Sequence, residues 1–397
     1  MPRFRARSWL DAKPGLAIVH GCAAYNERMS AHDVLVRGAG VVGLAAALAL
    51  ARQGLRVALL GAAPVSAHSE DVRAYALNAA SVELLTALKV WDAMPTDART
   101  PVHDMHIEGD APGSALDFSA WSQGLAQLAW IVDAAELERA LQAAASYAPH
   151  LQHVSTEVPA ALLVLAEGKD SATRARLGVQ MPRQAYGHRG IAARLTSDQA
   201  HQGLARQWFR SPDVLALLPL DRPQLGHGYG LVWSVPDARA DELMALPDAV
   251  FTAALMDASA GAAGSLGLCS ARAQWPLSLA RAQAVHGEGW VLVGDAAHVV
   301  HPLAGQGLNL GLADVQALAA ELAAREPWRE LGDAKLGARY ARRRALPTWA
   351  MAQLTDGLLH LFAHPAPLAK ELRNAGLNLV NQLPPLKRLL TSRALGT

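Results

Sequence analysis

The sequence predicts an α/β fold organised around a Rossmann-like dinucleotide-binding unit, and two stretches of chain predict it. One runs from Asp33 to Leu60, where a short β-branched strand, a glycine-rich turn, an alanine- and leucine-rich helix and a second apolar strand follow in order. The other is Trp290 to Leu322, where a second buried-strand pattern ends in Gly294-Asp295 and leads into another glycine-rich helix start. The chain has 397 residues, 51% of them hydrophobic, enough for about two or three closely built domains around a large core. That composition excludes a chain dominated by disorder.

In the first stretch, Gly38-Ala-Gly40-Val41-Val42-Gly43 has the spacing of a pyrophosphate-binding turn. Gly38 is expected to make the tight turn, Gly40 to let a pyrophosphate approach the backbone, and Gly43 to let the helix pack close to the sheet. The helix N-terminus, with its free N–H groups and dipole, then faces the phosphates. A ribose-binding Asp or Glu is expected at the end of the second strand, and Gly61 stands there instead.

The second stretch delivers a carboxylate, Asp295, at a strand end. It then continues through His298, His301, Pro302, Gly305, Gln306, Gly307, Leu308 and Asn309 into a helix over 312–322. A carboxylate accepts hydrogen bonds from a polyol, and a glycine-rich backbone donates to a developing anion. Flavin adenine dinucleotide has a ribityl chain and an electron-rich ring that match both, whereas a nicotinamide cofactor has no ribityl chain. Two such fingerprints on one chain point to bound FAD.

Three motifs carry a family resemblance: the first glycine fingerprint; Arg73-Ala-Tyr-Ala-Leu77-Asn78-x-x-Ser81; and Gly294-Asp295-Ala-Ala-His298-x-x-His301-Pro302-x-x-Gly305-Gln306-Gly307-Leu308-Asn309. Together they resemble the class A flavoprotein monooxygenases, within them the ubiquinone-biosynthesis hydroxylase family, over nearly the whole chain from Asp33. The resemblance implies an α/β protein with a Rossmann-like FAD-binding domain, an inserted β-sheet substrate domain and a helical C-terminus. The FAD-binding parts are expected at 33–100, 136–178 and 275–330, the substrate parts at 101–135 and 179–274, and the C-terminal helical region at 331–397. Residues 1–32 are expected to be a disordered extension, with Met29 an alternative start.

The resemblance also implies noncovalent FAD, NAD(P)H as electron donor, molecular oxygen, and a polyprenylated phenolic substrate. Its cofactor-binding residues are Gly38, Gly40, Val41, Val42, Gly43, Arg73, Gly294, Asp295, Pro302, Gly305, Gln306, Gly307, Leu308 and Asn309, with Glu167 and His298 as secondary candidates. No catalytic acid–base pair is singled out, because the cofactor carries the chemistry. Glu167-Gly168 stands where the family has Asp-Gly, and the segment from His150 to Pro159 is shorter than the family's β-meander. Trp208 and Trp233, on alternating segments, are secondary candidates for substrate contact.

Other classes are disfavoured. The 36 Lys and Arg balance 35 Asp and Glu, a net charge of +1, so the global basic field of a nucleic-acid binder is absent. The two cysteines, Cys22 and Cys269, exclude a thiolate metal site and fit a reducing compartment. His298 and His301 lack a third ligand at metal-binding spacing. No apolar run reaches the ~20 residues of a membrane span. The expected location is the cytoplasm, with peripheral contact at the inner membrane face through Leu368, Leu372, Leu377, Val380 and the basic residues of the tail. Two alternatives remain open: a flavin oxidoreductase without oxygen insertion, and a flavin-binding accessory component of a biosynthetic complex.

Overall fold

A computed structural model describes residues 32–61, 71–109, 114–300 and 306–363. The chain opens on β1 (His32–Arg37), α1 (Val41–Ala51) and β2 (Val57–Leu60), with β1 and β2 parallel. It then leaves for a small antiparallel sheet made of β3 (Ala74–Leu77), which leads into α2 (Ala79–Ala87), and of β4 (Arg99–Val102). The hairpin β5 (Asp104–Glu108) and β6 (Ala115–Ser119) belongs to a third, larger sheet. β7 (Ala129–Asp133) returns to the small sheet and runs into α3 (Ala134–Ser146), whose N-terminus is capped by the Asp133 carboxylate accepting from the Glu136 N–H.

β8 (Leu151–Val154) and β9 (Ala160–Leu165) rejoin the first sheet, flanking β2 and β1 respectively. After α4 (Ala172–Arg176), the large sheet is built from β10 (Arg183–Ser197), β11 (Leu204–Arg210), β12 (Asp213–Leu220) and β13 (Gly228–Pro236). The helices α5 (Asp237–Ala245) and α6 (Asp248–Ala258) follow, then β14 (Leu266–Leu268) and β15 (Ala273–Arg281). The chain closes on β16 (His286–Gly287), β17 (Trp290–Leu292), β18 (His298–Val299), α7 (Gln306–Ala323) and α8 (Ala334–Ala363). The first sheet thus has the order β16-β17-β9-β1-β2-β8, assembled from three separate stretches of chain.

Both faces of that sheet are covered, so β1 and β2 read as continuous apolar runs. Val34, Leu35, Val36, Val57, Ala58 and Leu59 are all essentially buried. α1 is apolar around its whole circumference because it lies inside the protein, against α3 and α7. The large sheet puts Ile191, Trp208, Leu215 and Trp233 on one face, in a core with Phe251 and Leu255 of α6. Its other face meets the small sheet.

That division corrects one expectation. Trp208 and Trp233 are completely buried, with the Trp233 ring 5.9 Å from that of Phe251, so both are core residues on the face covered by α6. Two expected domain boundaries also fall inside strands: 100/101 within β4 and 274/275 within β15, the whole of which belongs to the large sheet. His32, expected to end the disordered extension, is instead the first residue of β1, paired with Ala160; residues 1–31, Pro302, Gly305 and the apolar stripe after Pro367 lie outside the described residues. Among the described residues no helix is long and apolar enough to cross a membrane, and no group of His, Cys, Asp or Glu is placed to hold a metal.

The tightest point of the fold is the seat of α1. A Cβ on Gly43 would lie 1.8 Å from the Gly38 carbonyl oxygen, a backbone atom that has nowhere to go. Gly43→Ala is therefore expected to destabilise the apoprotein by about 1–3 kcal/mol, read as a lowered urea midpoint. An unchanged midpoint would remove the close-packing argument for this glycine.

Candidate active site

The three glycines of the first fingerprint do three different things. Gly38 has φ +110°, its N–H donates to the Leu60 carbonyl at 2.8 Å, and a Cβ there would be 2.2 Å from the Ala166 oxygen. It makes a turn that no side chain fits. Gly43 seats the helix, as above. Gly40 is the N-cap of α1, extended and with no side-chain cap, and a Cβ on it would meet no protein atom within 4 Å. The open space beside Gly40 and the uncapped first-turn N–H groups together make a cradle for an anion.

Val41 and Val42 begin α1, and Val42 joins the two fingerprints. A Cβ on Gly294 would lie 3.2 Å from Val42 Cγ1, and one on Gly311 2.7 Å from Val42 Cγ2. The second fingerprint is thereby packed directly on the first turn of the helix that forms the phosphate cradle. Gly294 itself turns the chain at φ +61°, and its N–H donates to Asp314 Oδ2 at 2.9 Å.

Asp314 was not singled out in the sequence, yet it is the most deeply buried charge of the site. Oδ2 also accepts from His298 Nε2 at 2.7 Å, and Oδ1 accepts from Arg344 Nε of α8 at 2.6 Å. Burial pushes its pKa up, but the charges and hydrogen bonds of His298 and Arg344 outweigh burial and hold it below the ordinary 3.8. The signal was an aspartate inside an otherwise apolar helical run, and its partner Arg344 lies 30 residues away. His298 is therefore occupied in holding the Gly294 turn.

Asp295, the next residue, behaves differently. Its side chain is exposed, yet the protein around it raises its carboxyl pKa through burial, against the nearby charges of His298, Lys169 and Arg73. Arg73 stands nearby, gripped by Asp71 through Nε at 2.8 Å and a terminal nitrogen at 2.6 Å. Its guanidinium lies 5.6 Å from the centre of the Tyr75 ring, and burial pushes the Tyr75 hydroxyl up to about 12. Arg194 of the large sheet closes this region from the other side: it donates to the Arg73 carbonyl and to Asp133 Oδ2.

The remaining candidates are brought together in part. Asn309 Oδ1 accepts from the Asn78 N–H at 3.0 Å and the Ser81 hydroxyl at 2.7 Å, and Nδ2 donates to the Ala76 carbonyl. It thus ties α7 to the Asn78-x-x-Ser81 turn. Gly307 and Leu308 are half-buried in the first turn of α7, which begins at Gln306. Glu167 is fully engaged with protein: Oε1 accepts from Arg37 Nε (3.0 Å) and the Thr173 hydroxyl, and Oε2 from the Ser171 hydroxyl and the Thr173 N–H. Burial raises its pKa, and those four bonds together bring it below the ordinary value.

The buried Asp314 gives a pH-dependent expectation. Its folded pKa is depressed, so its contribution is complete above 3.8 and is lost as pH falls through the folded value. Asp314→Asn leaves Arg344 and His298 without their anion and should cost about 3 kcal/mol at neutral pH. The gap from wild type, measured by urea unfolding, should narrow below about pH 4. A gap that is constant down to pH 2 would contradict the assignment.

The chain matches the FAD binding domain family over residues 31–158 and 119–355. It is 32% identical over 393 residues to the ubiquinone hydroxylase UbiL of Rhodospirillum rubrum, covering 92% of this chain and 90% of that protein. It is 30% identical over 396 residues to the 3-demethoxyubiquinol 3-hydroxylase of Escherichia coli, covering 92% and 98%. Among solved structures, Pseudomonas aeruginosa PqsL in complex with 2-aminobenzoylacetate superposes with a TM-score of 0.73 at 21% identity, over 87% of this chain and 99% of that one, a likeness of fold. With the second fingerprint packed on the first helix turn of the first, the chain belongs to the class A flavoprotein monooxygenases, in the ubiquinone-biosynthesis hydroxylase family.

Proposed function

We propose that this protein is the FAD-dependent, NAD(P)H-using hydroxylase of a polyprenylated phenol in ubiquinone biosynthesis. The observation that carries the reading is the contact of Val42 with Gly294 and Gly311, which places the open cradle at Gly40 and the exposed Asp295 on the same packed core. The residues fit FAD: the cradle suits a pyrophosphate, and Asp295, which accepts no hydrogen bond among the described residues, suits ribityl hydroxyls. FAD, once reduced by NAD(P)H, supplies the activation of molecular oxygen for transfer to an electron-rich ring. The chain positions the ring and excludes water. The large sheet suits that task, for the face opposite α6 carries half-buried Val232, Ala216, Gln207 and Ile107 in one register row, three apolar side chains and one amide that can orient a polar ring substituent.

A polyprenyl phenol is nearly insoluble, so the enzyme must take it from a bilayer or a partner. α8 offers Leu346 at 67% and Trp349 at 50% exposure, beside the exposed Arg342 and Arg343. Apolar and basic groups on one helix suit an anionic membrane surface, so peripheral contact at the inner membrane face is part of this reading.

Three outcomes are expected. Purified protein loaded with FAD, given NAD(P)H and a polyprenyl phenol under ¹⁸O₂, should place one ¹⁸O atom in the product. NAD(P)H consumption with no label in the ring would favour the oxidoreductase without oxygen insertion. Gly40→Val should leave apoprotein stability within about 1 kcal/mol, the scale of an N-cap change, because nothing in the fold opposes its side chain. It should nonetheless weaken FAD binding by a hundredfold or more. Wild-type affinity in that variant would displace the pyrophosphate from the first fingerprint. Cosedimentation with anionic liposomes should fall when Leu346 and Trp349 are both changed to Ser, and when salt is raised. Undiminished binding would move the membrane contact elsewhere.

A further inference from the structure

In a Rossmann unit the carboxylate that binds the adenosine ribose stands at the end of the second strand. In this chain that position is Gly61, and the structure leaves no room for an acid there. A Cβ on Gly61 would lie 2.7 Å from both Ala39 Cβ and the Ala39 backbone nitrogen. Trimming Ala39 would not remove the second of these clashes. The ribose end is nevertheless an open cleft of about 800 Å³, bordered by Gly38, Gly61, Ser155, Thr156, Glu157 and Glu167.

Two carboxylates line that cleft, and their hydrogen bonding separates them. Both oxygens of Glu167 are taken by four protein donors, so it has nothing left to offer a ligand. Glu157 is half exposed. Its Oε2 accepts from Arg37 Nη1 at 2.5 Å and lies 3.6 Å from Arg176, while Oε1 has no partner among the described residues. Arg37, itself mostly buried, donates to Glu167 with Nε and to Glu157 with Nη1, so it ties Glu157 to the base of the fingerprint turn. A fixed carboxylate with one free oxygen is what a vicinal diol requires, since charge-assisted O–H···O⁻ bonds are the strong ones. Arg37 is already matched by two carboxylates, which argues against its serving as the cation for a ribose phosphate.

We propose that Glu157, held by Arg37, receives the adenosine ribose hydroxyls of FAD in place of the acid missing at position 61. The proposal rests on the reading that this cleft binds FAD. It assigns the role to the five-residue link between β8 and β9, residues 155–159, which runs past the end of β2 and brings an acid where the strand cannot carry one.

The test is equilibrium binding by flavin fluorescence and calorimetry on the full chain freed of flavin. It compares FAD, its analogue with a 2′-deoxyribose on the adenosine side, and FMN. Glu157→Ala is expected to weaken FAD about tenfold or more while lowering the thermal midpoint of the apoprotein only slightly, because the ion pair lost is half exposed and Arg37 keeps its bond to Glu167. Wild type should lose a similar factor on the deoxy analogue, Glu157→Ala should no longer distinguish FAD from that analogue, and FMN should bind both proteins equally. A Glu157→Ala protein that binds FAD as wild type does, or that still prefers FAD over the deoxy analogue, overturns the assignment and leaves the cofactor reading standing. Wild type that binds no FAD overturns the cofactor reading and this proposal with it.

Discussion

The structure depends on how closely backbone can approach backbone at the foot of α1. Gly43 lies against the Gly38 carbonyl, Gly38 against Ala166, and Gly294 and Gly311 against Val42, each with less space than a methyl group needs. These contacts join the second strand-and-helix fingerprint, some 250 residues downstream in the sequence, to the first helix turn. The relative placement of the uncapped N–H groups at Gly40 and the Asp295 carboxylate follows from that approach: were α1 to stand off by one side chain, the two would move apart. Packing at this point is thus the precondition of binding, since interiors are dense enough that even a methyl is felt.

Charge is distributed in keeping with that geometry. The two structural carboxylates beside the fingerprints are saturated. Asp314 accepts from Gly294, His298 and Arg344, and Glu167 from Arg37, Ser171 and Thr173. Desolvation makes an unpaired ion at such places costly, so each is met by a full set of donors that includes an arginine. Among the described residues Asp295 has no such set, and burial raises its pKa. The contrast separates residues that shape the site from residues that face a ligand. It also places α8 in the first group, because Arg344 reaches from that helix to the carboxylate that fixes the Gly294 turn.

Much of this was legible in the sequence because the relevant signals are local. The strand, turn and helix from Asp33 and the strand ending at Gly294-Asp295 appear as read, since glycine spacing and apolar runs encode them within a few residues. The α/β architecture and the family followed from the same motifs. Other features depend on contacts across the chain and were not legible. Asp314 and Arg344 are an isolated acid and an isolated base until folding joins them. Asn309, read as a cofactor residue, spends its amide on Asn78, Ser81 and Ala76, which only the packing of α7 on α2 reveals. Trp208 and Trp233 alternate correctly for a sheet, but alternation does not say which face the helices cover.

Two departures from the family pattern, Gly61 and the short segment before β9, look independent in the sequence. In the fold they are neighbours. β8 ends level with β2, through the pairing of Val154 with Leu60, and β9 lies beyond β1 in the same sheet, so the link must pass the strand ends that border the ribose side of the cleft. A long connection could lie anywhere over the surface, whereas five residues have little choice of path. The short link therefore holds Ser155, Thr156 and Glu157 beside Gly61, and Arg37, at the end of β1, fixes the acid there by a bond into the same turn that Gly38 makes. Shortening the connection and losing the strand-end acid then compensate one another: the first places a carboxylate where the second removed one.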